Sequence, residues 1–462
     1  MEAICLIDFG STNTKVTAVD PIEERILARA TTFTTVETDI GEGLANALSL
    51  LQKEVENLKI VKRFACSSAA GGLRMIASGL VPALTAEAAR LAALGAGAKV
   101  VGLYSYELTE EDITEIVKLK PDIFLLTGGV DGGNKECILH NAKLLSSINI
   151  EKKFPILIAG NRSAQSECKK ILSNFEVVRC PNVLPKLGKL NIEPTQEQIR
   201  RIFLERIIHA RGLSREKELI SGILMPTPSA VKSALELLSN GTKDQAGFGE
   251  LVAVDLGGAT TDVYSVAGGF PKSVDVVLKG IPEPFSKRTV EGDIGMRYSA
   301  IGVLDAVGAE RLSHISGLSI EEIENRARNL NANPDLLPQN KEDENMDFAL
   351  ASSAVETAVE RHAGTLEEFY TPTGLVYIQT GKDLRNVNRL VLTGGAVIHN
   401  PRAEEIASYA RYSKGKPAYL KPLAEEIYVD KAYILAAMGL LAESLPETAL
   451  KIMKKEIKRY GN

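Results

Sequence analysis

Two stretches of the chain repeat one another. LIDFGSTNTKVTAV at residues 6–19 and AVDLGGATTDVYSV at residues 253–266 align without a gap, matching Asp8 with Asp255, Gly10 with Gly257 and Thr14 with Thr261. Each copy is an apolar run carrying an Asp, then a turn of Gly, Ser, Thr or Ala, then a second alternating run, which is the pattern of a β-hairpin with a glycine-rich turn. Two equivalent hairpins far apart in one chain imply two equivalent lobes. The length of 462 residues agrees, since it exceeds the size at which a single hydrophobic core stops growing.

The rest of the chain reads as α/β. After the first hairpin, residues 25–34 form a third strand pattern, and Leu44, Leu48, Leu51, Val55 and Leu58 mark a helix over 41–58. Residues 63–97 open with a strand-like RFAC, pass through SSAAGG and continue as an Ala-rich helical stretch. From 99 to about 208 strands at 100–104, 123–127, 156–159 and 176–179 alternate with helices, which implies βαβ crossovers and a small parallel sheet inserted in the first lobe. A polar stretch at 240–249 precedes the second hairpin. A mostly helical region follows, with an acidic, Asn-rich loop at 329–345, a strand at 389–392 ending in TGGA, and a Lys-rich helical tail.

Several classes of function are disfavoured. The net charge of −5, with no Lys/Arg cluster interleaved with aromatics, argues against a nucleic-acid partner. No segment has about 18 uninterrupted apolar residues, so no membrane span is expected. The five cysteines, Cys5, Cys66, Cys137, Cys168 and Cys180, are scattered without a CxxC or a histidine at ligand spacing, and read as buried, reduced thiols of a cytoplasmic protein. No histidine pair has metal-ligand spacing. SerAlaValLys at 229–232 lacks the companion motifs of penicillin-binding enzymes, and Gly381-Lys382 lacks the spacing of a Walker loop.

The hairpins carry the chemistry. Backbone N–H groups of a tight turn can cradle phosphates, and glycine permits the close approach and positive φ that such a turn needs. Asp8 and Asp255, each just before its turn, would direct carboxylates at those phosphates, where Mg²⁺, often through its waters, neutralises the charge. One DxG alone is more simply a plain hairpin turn; the pair in equivalent places favours a phosphate clamp. A second LLTGG, at 125–129, followed by ValAspGlyGlyAsn, is either a ligand loop at the carboxyl end of a parallel strand or a strand-to-helix turn.

Segment by segment and in order, the chain resembles the heat-shock chaperone ATPases and their actin-like relatives. Residues 6–15 resemble the first phosphate hairpin, PTPSAVKSALELL at 226–238 the connecting helix, and LVAVDLGGATTDVYSV the second hairpin. GlyAspIleGly at 292–295 resembles the start of the helix that follows, LVLTGGAVIHNP at 390–401 the adenosine loop, and DKAYILAAMGLLA at 430–442 the final connecting helix. The resemblance implies two ribonuclease-H-like, actin-like ATPase lobes with an inserted parallel α/β segment in the first: residues 1–98 as the first lobe, 99–210 as the insert, 211–249 as connecting helix and linker, and 250–462 as the second lobe. ATP and Mg²⁺ would lie in the cleft between them. It implies binding by Gly10, Ser11, Thr12, Asn13, Thr14 and Lys15 in the first hairpin and by Gly257, Gly258, Ala259, Thr260 and Thr261 in the second, joined by Gly292, Asp293, Gly394, Gly395 and Ala396. Gly394 and Gly395 would pass close to the nucleoside, while Ala437 and Gly439 would let two helices cross at the hinge. Where the chaperones carry an acidic residue before the Pro of the connecting helix, this chain has Met225 or Thr227, so slow hydrolysis at most is expected. Asp8, Asp255 and Asp262 remain as candidates to order metal and water, with Asp8 and Asp255 as metal ligands.

Over its whole length, with FLLTGGVDGGN in the insert, the chain is similar to the accessory proteins of glutamate mutase, also called methylaspartate mutase. That similarity implies an ATP-using reactivating factor that opens an adenosylcobalamin enzyme to release damaged cobalamin. Mutase subunits would be its partners and a homodimer one candidate assembly. The competing expectation is a small-molecule kinase or an ATP-coupled hydantoinase- or oxoprolinase-like subunit.

Overall fold

The computed structural model describes residues 2–10, 13–33, 40–68, 73–151, 153–210, 223–271, 273–372 and 374–460. Ser11, Thr12, part of the SSAAGG run and residues 211–222 of the expected linker lie outside the described residues. The chain forms two compact units. Unit 1 comprises Met1–Ala234, Gly280–Pro282 and Ala436–Ile452; unit 2 comprises Leu235–Lys279, Glu283–Leu435 and Met453–Asn462.

Unit 1 begins with β1 (Glu2–Phe9), β2 (Asn13–Asp20) and β3 (Arg25–Phe33), an antiparallel meander, followed by α1 (Ile40–Glu54) and β4 (Lys59–Ser67). β1 is buried at every position after Glu2, which explains its continuous apolar run: a central strand covered on both faces has no polar side to present. Leu44, Ala47 and Leu51 of α1 cover Ile7, Phe9 and Val16 on one face. The helix stops short of the expected Leu58, because Asn57 takes a left-handed φ of 58° and turns the chain into β4.

The parallel insert follows: β5 (Arg74–Gly79), a π-helical turn at Pro82–Ala86, α2 (Glu87–Gly95), β6 (Lys99–Ser105), α3 (Glu110–Leu119), β7 (Ile123–Leu126), α4 (Glu136–Ser146), β8 (Ile156–Ile158), α5 (Gln165–Ile171), β9 (Val177–Arg179) and α6 (Glu193–Ala210). Its order, β6-β5-β7-β8-β9, is that of a doubly wound sheet. Met75 and Ala77 face α2 and α6, whereas Ile76 faces α3 and α4. The insert therefore starts at β5, not at residue 99: the Ala-rich helix is its first crossover. β10 (Ile223–Pro226) returns to pair in parallel with β4, completing the first sheet as β3-β2-β1-β4-β10. α7 (Thr227–Asn240) follows directly.

Unit 2 contains β11 (Leu251–Leu256), β12 (Thr261–Val266), β13 (Val276–Lys279) and β14 (Ser286–Glu291), then α8 (Ala300–Val307), α9 (Ala309–Ser316), α10 (Ile320–Ala332) and α11 (Lys341–His362). β15 (Thr365–Thr371) and β16 (Gly374–Thr380) join β13 in a small separate sheet. β17 (Arg389–Thr393), α12 (Gly395–Ile398), α13 (Ala403–Ser408), β18 (Glu426–Val429), α14 (Leu435–Ala442), α15 (Pro446–Glu456) and β19 (Lys458–Arg459) complete the chain. The main sheet runs β14-β12-β11-β17-β18-β19. Its first five strands repeat the order and polarity of the first sheet: an antiparallel meander, then two strands parallel to the first of it. The repeated hairpins thus belong to repeated sheets, and the fold is two ribonuclease-H-like lobes with a parallel α/β insert between β4 and β10 of the first.

Two further expectations are corrected. The acidic loop expected at 329–345 is a gap of eight residues, 333–340, between α10 and α11. Asn340 accepts a hydrogen bond from Asp343 N–H at 2.9 Å, and Glu342, Asp343 and Glu344 occupy the first turn of α11, where negative charge meets the helix dipole. The second lobe also does not hold all of 250–462. Residues Ala436–Ile452 cluster with unit 1, because α14 packs on α7 so closely that a Cβ on Gly439 would lie 1.8 Å from the Ala230 carbonyl oxygen.

Candidate functional site

The two hairpins close alike at the base of their turns. Gly10 N–H donates to the Asn13 carbonyl at 3.0 Å, and Gly257 N–H donates to the Thr260 carbonyl at 2.9 Å. A Cβ on Gly10 would lie 2.6 Å from that acceptor and one on Gly257 3.1 Å from its own, so glycine is what lets each turn close. Asp8 and Asp255 occupy the same register two residues before, paired across the strands with Lys15 and Asp262.

Asp8 is buried, and its neighbours arrive from three other elements. Thr227, first residue of α7, donates its hydroxyl to Asp8 Oδ1 at 2.6 Å. The Cys66 thiol of β4 approaches the same oxygen at 3.5 Å, and Lys15 Nζ stands 4.0 Å from Oδ2. Burial, then the adjacent Asp8 carboxylate, pushes the Cys66 thiol well above its ordinary value, which keeps it a protonated donor. Met225, immediately before Pro226, pairs with Cys66 in the sheet, so the residue flanking that proline is a buried thioether without acid–base capacity.

In unit 2 the loop after β14 lies on the second turn. Met296 N–H donates to the Gly257 carbonyl at 3.1 Å and Arg297 N–H to that of Gly258 at 2.8 Å. Arg297 is held in turn by a two-pronged pair with Asp347 of α11 at 2.8 and 3.0 Å. Gly292–Gly295 is accordingly part of a loop laid against the turn, and the following helix starts only at Ala300. Within that loop Gly292 is half-buried and Asp293 exposed. The half-buried side chain of Asp255 sits beside Thr393 of β17 by register. Gly394 then takes a φ of 100°, with its notional Cβ only 2.2 Å from the Leu256 carbonyl oxygen. The collision that demands glycine there is with the protein's own backbone. Gly395 differs: it is exposed and a Cβ on it would meet nothing within 4 Å, leaving the space above it open to a ligand, with half-buried Ala396 alongside.

The remaining sequence-predicted residues divide. Asn13, Lys15, Gly258, Ala259 and Thr260 are partly accessible at their turns, whereas Thr14 and Thr261 are fully buried, with the Thr261 hydroxyl donated to the Ile294 carbonyl at 2.9 Å. Asp262, read as a candidate to order metal and water, has its Oδ1 paired with the Arg288 guanidinium. Burial works against the Arg288 charge, but Asp262 and then Tyr264 hold it above its ordinary value. Thr227, Cys66 and Arg288 were missed, since each becomes relevant only through pairing between distant strands; the one local hint was Thr227 following the Pro that ends β10.

The second LLTGG is braced internally. Gly128 and Gly129 take φ of 148° and 70°. Asn161 accepts from Gly132 N–H at 3.2 Å and donates to the carbonyls of Gly133 and Asn134, while Asn182 donates to Gly129. With those polar groups used inside the loop, the geometry favours the strand-to-helix turn over a ligand loop. Among the described residues no group of three or more His, Cys, Asp or Glu is placed to hold a metal, and no helix is long and apolar enough to cross a membrane.

Among solved structures, the activator of the 2-hydroxyisocaproyl-CoA dehydratase from Clostridium difficile with bound ADPNP aligns at 12% identity over 100% of both chains, with a TM-score of 0.32. The ligand-bound xylulose kinase from Lactobacillus acidophilus aligns at 11% identity over 99% of this chain and 93% of its own, with a TM-score of 0.38. Among curated proteins, "Protein MutL" of Clostridium tetanomorphum is 48% identical over 459 residues, 98% of this chain and 99% of that protein. The model of the family described as "MutL protein" matches residues 4–457. With the family model matching nearly the whole chain, and near-complete coverage on both sides at 48% identity to a member, the chain belongs to the MutL protein family.

Proposed function

We propose that this protein binds ATP with Mg²⁺ and acts as an accessory, reactivating factor for an adenosylcobalamin-dependent glutamate mutase. The observation that carries the nucleotide part is the duplicated turn: the same Gly N–H to carbonyl closure, with an Asp two residues before it, in both ribonuclease-H-like sheets. Each hairpin by itself offers groups of the kind that phosphate or its cation takes. With the Gly10 and Gly257 N–H groups used to close their turns, backbone at Gly258 and Ala259 would supply N–H groups for phosphate oxygens, Lys15 would supply a cation, and Asp8 and Asp255 are hard oxygen ligands of the kind Mg²⁺ takes directly or through water. The open space over Gly395 suits an adenosine.

Mg²⁺ would neutralise phosphate charge and order water. Hydrolysis is expected to be slow, because Met225 and Thr227 offer no carboxylate beside the connecting helix. Family membership supports the mutase as partner: nucleotide state would bias the protein between forms of different affinity for mutase subunits, and that difference would drive release of damaged cobalamin.

The test is reactivation. Cobalamin-inactivated glutamate mutase should regain activity with this protein, MgATP and fresh adenosylcobalamin, and should be retained by the tagged protein in a nucleotide-dependent way. Neither retention nor recovery, with a phosphorylated product appearing from a small-metabolite panel, would replace this reading with that of a kinase.

A further inference from the structure

The two sheets differ at one equivalent place. In unit 2, β18 is followed by Asp430, whose carboxylate accepts the N–H groups of Ile434 and Leu435 at the start of α14 and, at 3.3 Å, the hydroxyl of Thr393, the residue beside Asp255. In unit 1 the residue after the equivalent strand is Thr227, and the polarity is reversed: the helix residue is the donor, and the acceptor is the strand carboxylate of Asp8 itself.

We propose that Thr227 is a positioning residue for Asp8, fixing the carboxylate so that Oδ1 is committed to protein donors and Oδ2 is presented, beside Lys15, to the cation or its water. The proposal rests on the reading that Asp8 serves a nucleotide-bound cation. Oδ1 receives the Thr227 hydroxyl at 2.6 Å and the Cys66 thiol at 3.5 Å, whereas Oδ2 faces Lys15 at 4.0 Å. A hydroxyl donated to a carboxylate at that distance is a charge-assisted bond, stronger than a neutral one. The thiol is the weaker partner, so Thr227 sets the orientation. Its own backbone is held where β10, paired with β4, gives way to α7, and the following Pro228 adds stiffness, so the donor sits on rigid elements.

Thr227→Val removes the hydroxyl with little change of shape, and Thr227→Ser restores it; Thr227→Ala is a second deletion should valine disturb the helix start. The readout is Mn²⁺ binding by electron paramagnetic resonance, with and without AMPPNP, beside calorimetric AMPPNP affinity in the absence of metal. Circular dichroism melting checks the fold. The valine and alanine variants should bind Mn²⁺ with AMPPNP about tenfold more weakly, as expected for loss of one hydrogen bond to a charged group, while serine stays close to wild type and metal-free AMPPNP affinity is unchanged in all three. Wild-type-like Mn²⁺ affinity in both deletion variants would overturn the positioning role and leave the nucleotide reading standing. No Mn²⁺ bound by the wild type with AMPPNP would overturn both.

Discussion

Arg288 Nη2 and Nε lie 2.6 and 2.7 Å from Asp262 Oδ1, and both side chains are buried in unit 2. The first hairpin has Lys15 at the position of Asp262, so the repeat preserves a charged residue across from each strand Asp but not its sign or its task. In unit 2 that residue is half of a buried ion pair. Removing one partner of a buried pair strands the other charge, which typically costs about 3–5 kcal/mol. Arg288→Met should therefore lower the urea midpoint strongly, whereas Arg288→Met combined with Asp262→Leu should recover much of the loss. A single mutant as stable as wild type would show that the pair is dispensable.

Two glycines of the second half should respond oppositely to alanine. At Gly439 a Cβ would lie 1.8 Å from the Ala230 carbonyl, so α14 must move off α7, and a destabilisation of about 1–3 kcal/mol or more is expected from overpacking alone. At Gly395 the same methyl meets nothing within 4 Å, so the melting temperature should be unchanged while ATP affinity falls. Thermal melts and nucleotide titrations of the two variants check this. Unaltered affinity in Gly395→Ala would remove that residue from the site.

The thiols make a pH-dependent prediction. Burial pushes Cys5 and Cys168 up to about 12, and Cys137 and Cys180 to about 11, from an ordinary value of 9.0. Between these values the unfolded chain loses thiol protons that the folded chain keeps. The folded state therefore binds more protons, and the thiols' contribution, fully present below pH 9, fades as pH rises through that window. Stability should fall from pH 9 to 11, with a shallower slope in Cys5→Ala. At pH 8 an aromatic disulfide reagent should label none of the five thiols before urea is added and all five afterwards, since all are free and buried. Rapid labelling of the native protein would contradict the packing.

The hairpins were legible because their signal is local: a buried apolar strand, a glycine turn and an alternating strand repeat within fourteen residues, and the observed registers align Asp8 with Asp255. The parallel insert was also legible from its alternation, but its first strand was placed too late. The SSAAGG run does separate RMIASG of β5 from the preceding lobe, but six residues running into the Ala-rich α2 read more easily as part of that helical stretch than as a strand. What sequence spacing cannot carry is long-range pairing. Thr227 reaches Asp8 across 219 positions, and its place after Pro226 marks a helix start without naming the partner. The Ser319 and Asn340 caps were readable in principle, yet the acidic residues after Asn340 suggested a loop although a helix N-terminus favours them.

The most direct test of the account is a calorimetric titration of ATP, with and without Mg²⁺, into the wild-type protein and Asp255→Ala. Saturable binding that Mg²⁺ strengthens and that Asp255→Ala abolishes is the predicted result. No saturable heat from the folded wild type under any of these conditions would contradict it, leaving the duplicated turns as scaffold rather than as phosphate ligands.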